Sequence, residues 1–416
     1  MTYYNLLIRL NYFTGLVFSF LLPFGLVINR YILAVFIISG LLSGLQNFRN
    51  LLSRKNIFLI LTSVLFLLYL ISVLYSQNKE IAFFHIQKRL TLFFFPLVFA
   101  VIPLRKRHKN IIFFAFVAGV FVASVICFGN FIYQLLSDNS FAQGFYDQPL
   151  GQFYSTFYIF DHSSYYAAYL VFSIIILSGL LKDNIFLNSN YKPQIKIVAI
   201  FFIFVFALLT FLISSRAGLI GLVVIAFVIA YQNFTQIKIR IILYSVLILL
   251  SLVIFTNKRF IDSLGIIDEI ANKEDFDEKT IKQHSAIRLV LWKASFDVIK
   301  DNVLLGVGTG DVREELEDKI ENTYNFKMDR IYNPHNQFLS TFAATGVFGF
   351  LSLVGIFVIA INRAFIEKNT LLLNLVILLF IHFLFESMMG RLNGVLFFSF
   401  FISALFYYFD DFTKRV

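Results

Sequence analysis

Apolar residues run in long blocks along this chain, separated by short polar stretches, and they do not alternate with a period of two. The blocks are roughly 15–26 residues long, close to the length that crosses a bilayer as a helix. Barrel strands facing lipid would alternate in segments of about 10 residues. The pattern therefore predicts about twelve membrane helices, at 10–29, 31–48, 57–76, 82–104, 111–136, 165–181, 197–215, 216–232, 241–256, 338–361, 370–389 and 394–409. One long polar segment interrupts them. It divides the chain into residues 1–256 with the first nine helices, a large loop at 257–337, and residues 338–416 with the last three helices and a short tail. The predicted fold is an all-α polytopic membrane protein with a partly helical loop.

Composition supports that reading. Of 416 residues, 59% are hydrophobic and only 14% are charged, against about 25% charged in a soluble domain. The excess apolar surface must face lipid. The single cysteine, Cys127, excludes an intrachain disulfide and a cysteine-based metal site. The six histidines show no ligand spacing, so no metal and no cofactor are expected. No small-residue cleavage site follows the first apolar run, which reads as a retained helix.

Charge then orients the helices. One set of short loops and termini carries 17 Lys and Arg, and the opposite set carries 6. By the positive-inside rule the first set is cytoplasmic. Both termini are then expected inside and the long loop outside. That loop carries 12 basic and 16 acidic residues, so the net charge of +10 comes from the cytoplasmic segments. Basic residues scattered over many segments are not a nucleic-acid footprint.

The candidate chemistry gathers at the outer rim. Charged residues at a membrane edge are costly and mark function by default. Ser214-Ser215-Arg216 breaks an apolar run from about 197 to 230, which is too long for one helix. A tight hairpin is expected there, with Arg216 at its turn. A guanidinium so placed fits either a phosphate or an interface anchor. In the loop, Ile287, Leu291, Trp292, Phe296 and Ile299 share one face of a helix over 285–300, with Arg288 one turn before Trp292. A second helix is expected at about 311–321. Between them, Gly306, Gly308 and Gly310 suit a tight turn and form a weak phosphate-loop signal.

His335, in Asn333-Pro334-His335-Asn336, reads either as a general base or as incidental to a helix cap made by Asn333 or Asn336. Asp161-His162-Ser163-Ser164 reads as an N-cap at the sixth helix. Lys88 and Arg89 fit steering of an anionic headgroup or snorkelling. His382 and Glu386 share a helix face and read as a structural pair. His85 and His284 have no identifiable partner.

These residues together resemble the bacterial O-antigen ligase and O-antigen polymerase superfamily. The resemblance rests on Arg288-x-x-x-Trp292-Lys-Ala294, Asn302-x-Leu304-Leu305-Gly306-Val307-Gly308-x-Gly310, His335-Asn336-Gln337-Phe338, Gly346-x-x-Gly349 and Ser215-Arg216-Ala217-Gly218. It implies a GT-C-like, metal-independent glycosyltransferase of the bacterial inner membrane, acting at the periplasmic face. The donor would be a glycan on undecaprenyl pyrophosphate. The acceptor would be lipid A–core in a ligase or another glycan in a polymerase, and a chain-length regulator is a further partner it leaves room for. By resemblance Arg216 and Arg288 would bind pyrophosphate and His335 would be the base. Lys88, Arg89, His162, Asn336 and Glu386 would support them. Protein O-glycosylation and, in a different class, transport of lipid-linked glycans are the rival readings. The charged segment from Asp268 to Lys282 matches nothing in this pattern.

Overall fold

The computed structural model describes residues 3–45, 56–102, 106–137, 156–182, 192–233, 235–255, 286–324 and 333–407, with Gln143 and Phe153. The segment 268–282 and His284 lie outside them. The helices are α1 (Tyr3–Leu21), α2 (Ile28–Gly44), α3 (Ile57–Tyr75), α4 (Lys79–Arg89), α5 (Thr91–Val101), α6 (Lys106–Ser137), α7 (Ser163–Lys182), α8 (Lys192–Ile213), α9 (Arg216–Asn233) and α10 (Ile237–Phe255). After the interruption follow α11 (Ala286–Asp301), α12 (Val312–Tyr324), α13 (Gln337–Ile366), α14 (Thr370–Phe385) and α15 (Leu392–Phe406). No strand occurs among the described residues. Among the described residues, eight helical segments are long and apolar enough to cross a membrane, and α2, α14 and α15 are shorter apolar helices.

Each segment predicted from hydropathy overlaps a helix, but several boundaries move. The first helix stops at Leu21 rather than 29, because Pro23 opens a single 3-10 turn that closes on Gly25. The fourth segment is two helices, α4 and α5, meeting at Leu90. The eleventh ends at Phe385, four residues early, because Glu386 adopts an extended backbone.

The bundle is built around α15. Nearly all of its residues are buried. Phe400 packs against Phe18, Phe36, Phe95 and Phe99, and Phe401 against Phe113, Phe116 and Phe172. Aromatic packing of this kind holds helices together where lipid removes the usual hydrophobic drive. By contrast α8 turns Ile197, Phe201 and Phe204 outward, as expected of a lipid-facing helix.

The loop helices pack on the bundle. α11 buries Val290, Leu291, Ala294, Val298 and Ile299 against α12 and α13. The apolar face predicted for it is thus rotated. Phe296 is 53% exposed, and Val290, Ala294 and Val298 take the inner positions.

The glycine loop after α11 plugs a kink in α13. Gly346 leaves the helix at φ 66°, ψ −165°. Gly306 stands at φ 71° and Gly308 at φ 102°. Val307 N–H donates to the Ala343 carbonyl at 2.8 Å, and Gly308 N–H to Ala344 at 3.1 Å. Val347 N–H returns a bond to Val303 at 2.8 Å. Thr309 and Gly310 N–H donate to the Ser72 and Ser76 hydroxyls. The loop's amides are therefore occupied, and it is a structural plug rather than a phosphate cradle.

A side chain at Gly346 would strike the Leu304 carbonyl and force a left-handed β-branched residue. Gly346→Val should destabilise the protein by about 1–3 kcal/mol or more. The thermal midpoint in detergent reads this, and an unchanged midpoint would refute the plug.

Candidate functional site

Four elements meet at the end of the bundle that carries the loop helices. They are the start of α7, α11, the approach to α13 and the turn after α14. Their meeting point is the Glu386 carboxylate, 5% exposed. Arg288, on the first turn of α11, donates from Nη2 to Glu386 Oε1 at 2.9 Å and from Nη1 to the Phe385 carbonyl at 2.9 Å. Ser164 Oγ donates to the same Oε1 at 3.1 Å. His335 Nδ1 lies 3.3 Å from Oε2.

The surrounding chain is arranged to hold these groups. Asn336 caps α13 by accepting from Leu339 N–H at 3.1 Å. Asn333 Oδ1 accepts from His335 N–H at 2.8 Å. His335 itself is at φ 48°, an uncommon backbone for a non-glycine residue. Trp292 Nε1 donates to the Pro334 carbonyl at 2.9 Å. Buried Gln337 accepts from Met389 N–H at 2.6 Å, which ties the start of α13 to the turn after Glu386. Asn336 makes the cap, and the His335 ring separately faces Glu386.

Electrostatics follow from this geometry. Burial pushes the Glu386 carboxyl up, but the His335 hydrogen bond and the Arg288 charge outweigh it and hold the group well below the ordinary carboxylate value. An ionised carboxylate only accepts, so His335 Nδ1 must carry the hydrogen. In the neutral imidazole Nε2 then holds the lone pair. Nearby, burial lowers His162 below the ordinary imidazole value, with Glu386 opposing and Arg391 and His335 adding to the lowering. His162 Nδ1 accepts from Ser164 N–H at 3.3 Å.

Sequence reasoning named most of these residues but misjudged several partnerships. Glu386 does not pair with the His382 ring, whose Nδ1 contacts the Leu378 carbonyl instead. Asp161 is not a helix cap. It accepts from Arg391 at 2.8 Å and Asn393 at 2.8 Å, anchoring the turn before α15. Ser164 was noticed only as part of a cap, yet it bonds Glu386. The clue was available in outline: between Glu367 and Asp410 the chain has no acidic residue but Glu386.

Arg216 is brought to the same end by a tight hairpin, with Ser214 at φ 52° and Ser215 Oγ accepting from Gly218 N–H. It begins α9, which packs on α7 and α14. Lys88 and Arg89 are not among the hydrogen-bond partners of Glu386. Lys88 lies 3.7 Å over the Phe84 ring and donates to the Gly390 carbonyl at 3.4 Å. Arg89 is buried, with its guanidinium 4.1 Å over the Tyr69 ring. His85 lines the same cavity as Arg89, so it has a setting that the sequence did not reveal.

Compared with known families, residues 199–354 match the family described as O-antigen ligase. The matched region holds Arg216, Arg288, the glycine loop and His335, while Glu386 and Ser164 lie outside it. No curated protein matches the chain. The family match and the apolar helices together describe a membrane-spanning protein that is similar over residues 199–354 to O-antigen ligases.

Glu386 is lowered in the folded state, so its contribution to stability is full above the ordinary carboxylate value and is lost as pH falls through the folded value. Acidification from neutral pH to about pH 3 should therefore lower the thermal midpoint of the wild type more than that of Glu386→Gln. Parallel losses in the two proteins would contradict the ion-pair reading.

Proposed function

We propose that this protein, which matches the O-antigen ligase family over residues 199–354, moves a glycan from a polyprenyl-diphosphate carrier to a sugar hydroxyl, with His335 as the general base. The observation that carries the reading is the single carboxylate, Glu386, bonded to both Arg288 and His335. It holds an imidazole in one tautomer next to a fixed guanidinium.

The chemistry follows in order. The acceptor hydroxyl gives its proton to His335 Nε2 as its oxygen attacks the anomeric carbon. The bond from that carbon to the diphosphate oxygen breaks, and negative charge grows on the leaving group. Arginines at a water-poor rim stabilise that charge where it develops. Arg288 spends two of its five N–H donors on Glu386 and Phe385, which leaves three for the leaving group. Arg216 would face the same diphosphate from the α8–α9 hairpin. A base opposite the leaving group gives a single displacement and inversion at the anomeric carbon.

The distribution of basic residues supports a site on the periplasmic face with both termini cytoplasmic. No ATP is available there, so the donor must arrive activated, as a lipid diphosphate does. We favour lipid A–core as the acceptor, with undecaprenyl as the carrier lipid. In a deletion strain, a ligase leaves polymer on the carrier and none on lipid A–core, whereas a polymerase leaves single-repeat caps.

His335→Ala and Arg288→Ala should each lower transfer by about 10²–10³-fold, by comparison with other charge-stabilising and proton-transfer groups. Glycan transfer by membranes containing equal amounts of inserted protein measures this. Wild-type glycan levels in both variants would defeat the assignment.

A further inference from the structure

His162 takes no part in the transfer steps described for His335 and Arg288, yet it stands beside the carboxylate on which they depend. It immediately precedes α7, and its carbonyl accepts from Tyr165 N–H at 3.1 Å, which fixes its backbone. Ser164 ties the imidazole to the site. Its N–H donates to His162 Nδ1 at 3.3 Å, and its Oγ donates to Glu386 Oε1 at 3.1 Å. The Tyr165 ring meets the imidazole edge-on, with centroids 5.9 Å apart. The adjacent Asp161 is already engaged, because Arg391 and Asn393 each donate to it at 2.8 Å. The charged or titratable groups that act on the ring are Glu386, Arg391, His335 and Asp161.

These contacts decide the tautomer. Nδ1 accepts from Ser164 only through a lone pair, so the ring hydrogen sits on Nε2. Burial opposes a second proton and keeps the ring neutral near pH 7. The residue is partly exposed, and its Nε2 makes no hydrogen bond among the described residues, so this N–H is open to a ligand. His335 is built the other way round. Its Nδ1 carries the hydrogen toward Glu386, and its Nε2 holds the lone pair. The same carboxylate thus holds His335 directly and His162 through Ser164, and the two rings have opposite sense. One accepts through Nε2 and the other donates through Nε2.

Such a pair is complementary to sugar hydroxyls, each of which can both donate and accept. A diphosphate diester has only acceptor oxygens and gives no proton to His335. We propose that His162 binds the acceptor sugar, donating from Nε2 to a hydroxyl oxygen adjacent to the hydroxyl that His335 deprotonates. The attacking hydroxyl gives its proton to His335 Nε2 while its neighbour is held by His162. Two contacts of opposite sense fix the position and orientation of the acceptor before attack. His162 keeps its own proton throughout, so it contributes binding and selectivity rather than proton transfer. An acceptor lacking the neighbouring hydroxyl leaves the N–H unmet and is discriminated against. This role rests on the transfer reaction proposed above.

The test follows transfer kinetics in membranes holding equal amounts of inserted protein. Lipid A–core without polymer is varied at fixed undecaprenyl-diphosphate-linked glycan, and then the reverse. His162→Ala should raise the acceptor KM by about three- to tenfold, the worth of one neutral hydrogen bond, and leave the donor KM unchanged. His162→Phe, which keeps a ring but no donor, should behave like His162→Ala. His162→Gln, whose amide keeps a donor, should recover much of the wild-type acceptor KM. A wild-type acceptor KM in the Ala and Phe variants, or an equal rise in both KM values, would overturn the proposal. If His162→Ala does not insert, the other two decide, and a Gln variant no better than Phe overturns it. Nitrogen-15 NMR of histidine-labelled protein in detergent adds a readout independent of turnover. The His162 signals, identified by their loss in His162→Gln, should report the Nε2–H tautomer at pH 7, and an Nδ1–H tautomer or an imidazolium would overturn the assignment. Failure of the transfer reaction itself reads differently: the wild type then transfers no glycan, or His335→Ala transfers it normally.

Discussion

A carboxylate removed from water costs several kcal/mol unless cations and donors meet it. Glu386 is such a group, and the end of the bundle is organised to meet it. Arg288 and Ser164 share one oxygen and His335 faces the other. Those partners come from three elements far apart in sequence. The carboxylate therefore does two things at once. It locks α11, α7 and the approach to α13 onto the turn after α14, and it fixes which nitrogen of His335 is available to take a proton.

The rest of the architecture serves that meeting point. The α15 phenylalanine ladder gives the bundle a rigid centre. The kink at Gly346 and the glycine loop that fills it hold α11 and α12 against α13, so that Arg288 arrives at Glu386 from outside the bundle proper. Gln337 and Trp292 pin the short loop before α13, and this supports the left-handed backbone of His335. The same packing leaves a cavity beside the site lined by Arg89 and Arg313, with no carboxylate among the described residues that line it.

Much of the fold was legible from the sequence because lipid imposes a simple rule: long apolar blocks become helices. The hairpin at Ser214–Arg216 followed from length alone. Boundaries went astray where tertiary contacts override that rule. Glu386 leaves its helix because its carboxylate turns to Arg288 and His335. α4 and α5 part at Leu90, within a segment that hydropathy treats as one. The candidate site was partly legible, since Arg288 and His335 stood out as a guanidinium and an imidazole at the rim. Their connection through Glu386 was not, because a helical spacing of four pointed to His382 instead. Nor was the setting of His85 and Arg89 readable, because it depends on α12 folding back over α4.

The central claim is that Arg288, Glu386 and His335 act as one unit through the shared carboxylate. A double-mutant cycle on glycan transfer tests it most directly, comparing Glu386→Ala, His335→Ala and the double variant in equal amounts of inserted protein. The account predicts strong non-additivity, with the double variant hardly slower than the worse single one. Losses that simply multiply would show that Glu386 and His335 act independently, and would contradict it.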